Sequence, residues 1–176
     1  MFKVSLVTDG LTETEERMVK RASLKVELVF NSDKFKEWVI NYSYSEQRCT
    51  GRPWRKKCTT IEHINFNDCL DLSNKEVYCK IMEGKEALGE TGEGSDADIF
   101  LRVDRRNRSG VIGYTYQNTP WQYVYQWVLR DFTVDDVAAN LAHEWCHKLG
   151  FDHSYSFSTT RQYSVPYAVG YFVGGF

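Results

Sequence analysis

The chain has 176 residues, of which 42% are hydrophobic and 15% aromatic, and its formal net charge at pH 7 is −2. This size and composition predict one globular domain, residues 1–176, large enough to bury a core without disulfide bonds. The acidic balance argues against nucleic-acid and anionic-membrane partners. No apolar run approaches the roughly 18 residues of a membrane-spanning helix, so we expect no membrane segment. The expected form is a monomer.

The N-terminal part of the chain predicts strands alternating with helices. Residues 1–7 alternate apolar and polar side chains, which indicates a strand rather than a secretory signal peptide and favours a cytoplasmic protein. A T-x-x-E capping box at Thr12 begins a helix that is expected to reach about Ala22. Residues 25–30 alternate again and predict a second strand, and a short helix is predicted over residues 31–40.

Residues 42–72 are polar and predict an irregular segment with a basic cluster around Trp54. The cluster consists of Arg48, Arg52, Arg55, Lys56 and Lys57. Because the whole chain is acidic and no RNA-binding motif accompanies the cluster, a solvated loop or the rim of a substrate cleft is favoured over an RNA contact.

The chain contains five cysteines, an odd number, and without a signal peptide they favour reduced thiols in a cytoplasm. An alternative stays open, in which a second, structural zinc ion is held by a set spaced C-x8-C-x4-H-x5-C. Its members are Cys49, Cys58, His63 and Cys69. This spacing matches no common zinc knuckle well. Cys146 is expected to be a packing residue.

A third helix is predicted over residues 73–84, followed by a Gly/Glu/Asp-rich stretch, residues 84–98, that we expect to be a mobile loop. The carboxylates of this stretch lack the spacing of an EF-hand calcium loop. Three further strands are predicted, over residues 97–103, 110–116 and 121–129.

A second capping box, at Thr133, opens the helix that organises the chain. Apolar residues recur at helical spacing on one side of this helix: Val134, Val137, Ala138, Leu141, Ala142, Trp145 and Leu149. Polar residues take the opposite side: Asp136, Asn140, His143 and His147. We therefore expect one face to pack on a sheet and the other to face a cleft.

The sequence H-E-x-x-H-x-x-G-x-x-H begins at His143 and holds three of the four histidines. Residues four apart share one face of an α-helix, so His143 and His147 can both turn toward one ion. Glu144 then lies beside the ion, where a general base belongs. Gly150 permits a left-handed helix end, after which the chain can bring in His153 as a third ligand. Three histidines with one open position are the arrangement of a catalytic zinc ion.

The motif resembles that of the metzincin clan of zinc metallopeptidases, most of all the small members encoded in phage and bacterial genomes. The resemblance is specific over residues 133–170 and only architectural upstream. It implies Glu144 as the general base and one catalytic Zn²⁺ ion, held by His143, His147 and His153.

Metzincins add a tight turn, usually with a methionine, beneath the zinc ion. The counterpart here is Ser164–Ala168, which looks like that turn with proline or valine in the methionine position, and no methionine follows His153. The resemblance implies that Tyr167 supplies a hydroxyl to the oxyanion, and the alternative is a packed aromatic residue in a turn. Tyr155 and Tyr163 are weaker candidates for the same role.

The resemblance also implies an α/β architecture of the α+β, zincin-like type. A twisted mixed sheet would carry residues 110–116 as an antiparallel edge strand above the zinc-binding helix, and such a strand can bind an extended peptide. An N-terminal subdomain, residues 1–150, would be followed by a short C-terminal subdomain, residues 151–176. Residues 171–176 are apolar and are expected to form a last strand or to contact a partner.

These observations predict a zinc-dependent metalloendopeptidase acting on a peptide or protein substrate. The alternative is a catalytically silent zinc protein that binds a partner through the edge strand and cleft. The absence of a methionine in the turn favours the alternative. The presence of Glu144 favours catalysis, because a pure binding protein does not need that carboxylate.

Overall fold

A computed structural model of the chain describes residues 1–86, 96–106, 108, 110–116, 118–155 and 158–176. Within these residues the chain forms six α-helices and six β-strands. The strands are β1 (Lys3–Asp9), β2 (Tyr44–Thr50), β3 (Lys57–His63), β4 (Asp96–Asp104), β5 (Gly113–Thr115) and β6 (Trp121–Tyr125). The helices are α1 (Glu13–Phe30), α2 (Asp33–Ile40), α3 (Asn74–Glu83), α4 (Gln126–Asp131), α5 (Val134–Lys148) and α6 (Val165–Gly175). The predicted mixed α/β class is confirmed.

The main sheet has four strands in the order β1-β4-β6-β5. Strands β1, β4 and β6 run parallel to one another, whereas β5 pairs antiparallel with β6 and forms an edge of the sheet. The predicted mixed sheet with an antiparallel edge strand is therefore confirmed, although β5 covers only three of the residues predicted for it.

Helix α1 is longer than its sequence pattern predicted. The capping box at Thr12 is present, and the helix continues to Phe30. Its buried residues recur at helical spacing throughout: Val19, Ala22, Ser23, Val26, Val29 and Phe30. The predicted strand over residues 25–30 is therefore wrong. Leu28, which suggested strand alternation, is 64% exposed on the outer face of the helix.

The segment predicted to be irregular contains a β-hairpin. Strands β2 and β3 form a separate two-stranded antiparallel sheet, and the basic cluster lies exposed at its far end. Because both strands are mostly solvent-exposed, they lack the apolar alternation that marks a core strand.

The hairpin also corrects two predictions about cysteines. Cys49 and Cys58 face each other across the strands and form a disulfide, so the prediction of five reduced thiols is wrong for this pair. The cytoplasmic location loses that part of its support. The alternative zinc set is not assembled, since His63 lies against Tyr44 and Glu46 instead. The remaining cysteines are free, and Cys146 is buried in the core as expected.

The middle of the chain agrees with the predictions in most places. Helices α2 and α3 and strand β4 lie where they were expected. The predicted strand over residues 121–129 is right only as far as Tyr125, because α4 follows it. Helix α4 buries the adjacent residues Val128 and Leu129, which a strand would direct to opposite faces. Residues 87–95, the centre of the predicted loop, lie outside the described residues.

Helix α5 divides its two faces as predicted. Six residues of the apolar stripe are buried: Val137, Ala138, Leu141, Ala142, Trp145 and Leu149. They belong to one hydrophobic core that also contains residues of α1, the main sheet and α6. Within the described residues, no helix is both long and apolar enough to cross a bilayer.

The predicted C-terminal strand is wrong, because the chain ends in helix α6, which packs closely against α5. Valines spaced four apart, Val165, Val169 and Val173, are buried on one side of α6. The glycines allow the close approach. A Cβ atom on Gly170 would lie 2.9 Å from the Ala139 carbonyl oxygen and 3.3 Å from the His143 Cβ.

We predict that Gly170→Ala lowers the free energy of unfolding by about 1–3 kcal/mol, since the added methyl group separates α6 from α5. Gly175→Ala in the same helix is the control, because a Cβ atom there meets nothing within 4 Å. Urea denaturation of both variants measures the difference. Equal stability of the two variants would show that the glycine contact is not required.

Candidate metal centre

The metal-binding motif occupies the last turns of α5 and the loop that follows. His143 and His147 project from the polar face of α5, and the helix ends at Lys148. Gly150 adopts the predicted left-handed conformation, with φ 88°. Phe151 is fully buried and anchors the returning chain, which places His153 beside the two helical histidines.

The three imidazoles converge. One ring nitrogen from each of His143, His147 and His153 lies within 4.8 Å of the other two. The Nε2 atoms of His143 and His153 are 3.3 Å apart. Nitrogens about 2.0–2.1 Å from a tetrahedral zinc ion would lie roughly 3.3 Å from each other. The donor set therefore fits a metal ion of this size, and it is the one such cluster among the described residues.

Backbone carbonyl groups orient the rings. The Nδ1 atom of His147 donates to the carbonyl oxygen of Phe151 at 2.8 Å, and that of His153 lies 3.3 Å from the carbonyl oxygen of Ser154. Since a carbonyl only accepts, these bonds place the proton on Nδ1 and leave Nε2 as the free ligand atom.

The surroundings keep the histidines neutral. Burial lowers the pKa of His143 well below its usual value, with further lowering from His147 and His153 and an opposing backbone hydrogen bond at Pro166. Burial likewise lowers the pKa values of His147 and His153. Neutral imidazole is the form that binds metal ions.

Glu144 is 4% exposed and lines the same cleft as the histidines. Burial raises its pKa to about 8, and the charge of Lys148 acts in the opposite direction. A bound cation would counteract this increase in the pKa and favour the ionised carboxylate. The position beside the cluster is the one that the sequence predicts for a general base.

The segment compared with the metzincin turn is the N-cap and first turn of α6. Tyr167 lies at the site as predicted, with its ring centre 4.6 Å from that of His143 and 4.8 Å from that of His153. Of the weaker candidates, Tyr155 lines the cleft but is 84% exposed. Tyr163 stacks on Tyr44 instead.

The cluster opens into a cleft with a volume of about 1020 Å³. Strand β5 forms one side of it, held close to α5 because Gly113 has no side chain: a Cβ atom there would lie 2.7 Å from the Asn140 amide nitrogen. The amine of buried Lys148 donates to the backbone carbonyls of Tyr116 and Thr119, which fixes the end of β5 to the end of α5.

Sequence reasoning missed Arg161, which lies in a short 3-10 turn before α6 and also lines the cleft. A signal was present, because Arg161 is the only charged side chain among residues 154–176. It also missed the anchoring role of Lys148, which depends on contacts between residues far apart in sequence.

Comparisons with protein-family models, with curated proteins and with solved structures found no match for this chain.

We predict that Zn²⁺, used as the probe ion, binds the wild-type chain with one ion per molecule. His153→Ala should weaken Zn²⁺ binding more than about 100-fold. The loss of a direct ligand lowers the affinity more than the loss of a residue that only orients a ligand. His63→Ala is the control, since His63 lies on β3 away from the cluster. Calorimetric titration checks this, and unchanged affinity in His153→Ala would exclude the three-histidine site.

Proposed function

We propose that the protein is a zinc-dependent metalloendopeptidase of the metzincin type with a zincin-like fold. One observation carries the proposal: three neutral imidazoles converge beside the buried carboxylate of Glu144 at the base of a large cleft. An antiparallel edge strand borders that cleft. Each of these features has a use in peptide hydrolysis.

The ligand set favours zinc. Three histidine nitrogens leave one coordination position open, which is typical of catalytic rather than structural zinc sites. When bound, the ion supplies Lewis acidity that activates water and polarises a carbonyl group. His143, His147 and His153 would hold it, each oriented by the backbone.

Glu144 would accept the proton of the attacking water and deliver it to the leaving amine. Its position suits this role, because the side chain is buried from bulk water and lines the cleft with the histidines. The carboxylate and the imidazoles come from one rigid helix, which keeps their separation fixed.

Tyr167 would donate its hydroxyl hydrogen to the oxygen that gains negative charge when the carbonyl is attacked. Its ring contacts His143 and His153, so the side chain lies beside the reacting group. Burial raises the pKa of Tyr167, and the hydroxyl therefore keeps its proton at neutral pH.

Strand β5 would hold the substrate backbone. It pairs with β6 on one side and ends the main sheet on the other, so an extended peptide can add to it as a further strand. Backbone pairing of this kind positions a peptide without selecting its side chains.

We predict that Glu144→Gln keeps zinc binding but lowers turnover of a denatured protein by about 10²–10⁴-fold, because the proton acceptor is lost and the shape is retained. Glu37→Gln, at an exposed position of α2, is the control. If the wild-type protein also binds zinc but does not cleave the substrate, the alternative of a catalytically silent zinc protein is favoured.

We predict that Tyr167→Phe lowers kcat by about 10²–10³-fold with little change in KM, as expected for loss of one oxyanion donor. Tyr163→Phe should behave as wild type, since Tyr163 stacks on Tyr44. Steady-state kinetics on a fluorogenic peptide gives both constants. An unchanged kcat would make Tyr167 a packing residue only.

A further inference from the structure

Arg161 brings a positive charge to the metal centre. Its guanidinium carbon lies 4.8 Å from the centre of the Tyr167 ring, and that ring contacts His143 and His153. The charge of Arg161 contributes to the lowered pKa values of all three histidines. The guanidinium is therefore close to where a substrate would react.

Among the described residues, no carboxylate forms an ion pair with this guanidinium. Its Nε atom is shielded from solvent and has no hydrogen-bond partner among the described residues. Three other arginines each lie within 2.8 Å of an aspartate: Arg102 with Asp9, Arg106 with Asp104 and Arg130 with Asp131. A shielded donor without a partner is unfavourable, and a ligand that accepts its hydrogen bond would remove this cost.

The acids that line the cleft are already engaged. Asp136 caps α5 through Thr133, and Asp152 accepts the backbone N–H of His153. Glu144 has the role of general base in the proposed reaction. Since none of these carboxylates forms an ion pair with Arg161 in the described structure, an anion from the substrate is the matching group.

We propose that Arg161 binds a carboxylate of the substrate and makes the cleft selective for acidic peptides. The inference rests on the proposed peptidase function and adds the substrate class. The planar guanidinium matches a carboxylate with two parallel hydrogen bonds. The carboxylate has two sources, an Asp or Glu side chain near the scissile bond or the α-carboxylate of a peptide C-terminus.

The test uses fluorogenic peptides that differ at one position beside the scissile bond, with Glu, Gln or Lys, each with a free or an amidated C-terminus. For zinc-loaded wild type we expect one of two preferences, each about 10–100-fold in kcat/KM. The enzyme prefers either the Glu peptide over the Gln peptide or the free C-terminus over the amidated one. Preference for Glu over Gln identifies the side chain, and preference for the free over the amidated end identifies the α-carboxylate.

Variants assign this preference to Arg161. Arg161→Gln should abolish it, and Arg161→Glu should shift a side-chain preference toward Lys. Arg108→Gln, which removes the exposed cation that also lines the cleft, should leave the ratio unchanged. If Arg161→Gln slows all peptides equally, Arg161 only supports the Tyr167 ring and the inference is wrong.

A binding measurement separates this inference from the proposed function. Fluorescence anisotropy with the Glu144→Gln protein reports peptide affinity without turnover. Stronger binding of the acidic peptides, lost in the Glu144→Gln, Arg161→Gln double variant, supports the inference even if wild type cleaves nothing. Equal cleavage and equal binding of all peptides overturn it while leaving the peptidase function intact.

Discussion

The close packing of α6 against α5 is the constraint on which the site depends. Helix α5 buries its apolar face in the core and presents its histidines on the other face. Gly170 lets α6 approach that second face, where its Cα lies against Ala139 and His143. Tyr167, one turn earlier on α6, is thereby held against the imidazoles. The packing of α6 against α5 thus contributes both to the stability of the C-terminal helix and to the geometry of the three-histidine cluster.

The polar groups of the site would suit both proposed ligands, a metal ion and an acidic peptide. Neutral imidazoles and a shielded carboxylate favour a cation, whereas Arg161 favours an anion. These groups lie close enough for Arg161 to affect the pKa values of the histidines. Bringing them together without ligands is unfavourable, because each is removed from water. A bound zinc ion and a substrate carboxylate would offset the cost of removing these groups from water.

Features encoded by local geometry could be predicted from the sequence. The capping boxes, the left-handed Gly150 and the histidine spacing each depend on a few neighbouring residues. Features set by distant contacts could not. Leu28 suggested a strand although the helical pattern of α1 continues through it. The hairpin has little buried surface, so its residues lack an apolar pattern. Arg161 reaches the site because the 3-10 turn leads into α6, which packs against α5.

The sequence comparison places the counterpart of a metzincin turn at Ser164–Ala168, where the structure has the N-cap and first turn of α6. In the proposed metzincin-type site an apolar side chain of the turn would lie under the ligands, whereas here α6 lies against His143. Pro166 suits the first turn of α6, because a residue there needs no N–H group within the helix, and its backbone supports His143. In the proposed site, helix packing would thus take the role that metzincins give to a methionine side chain.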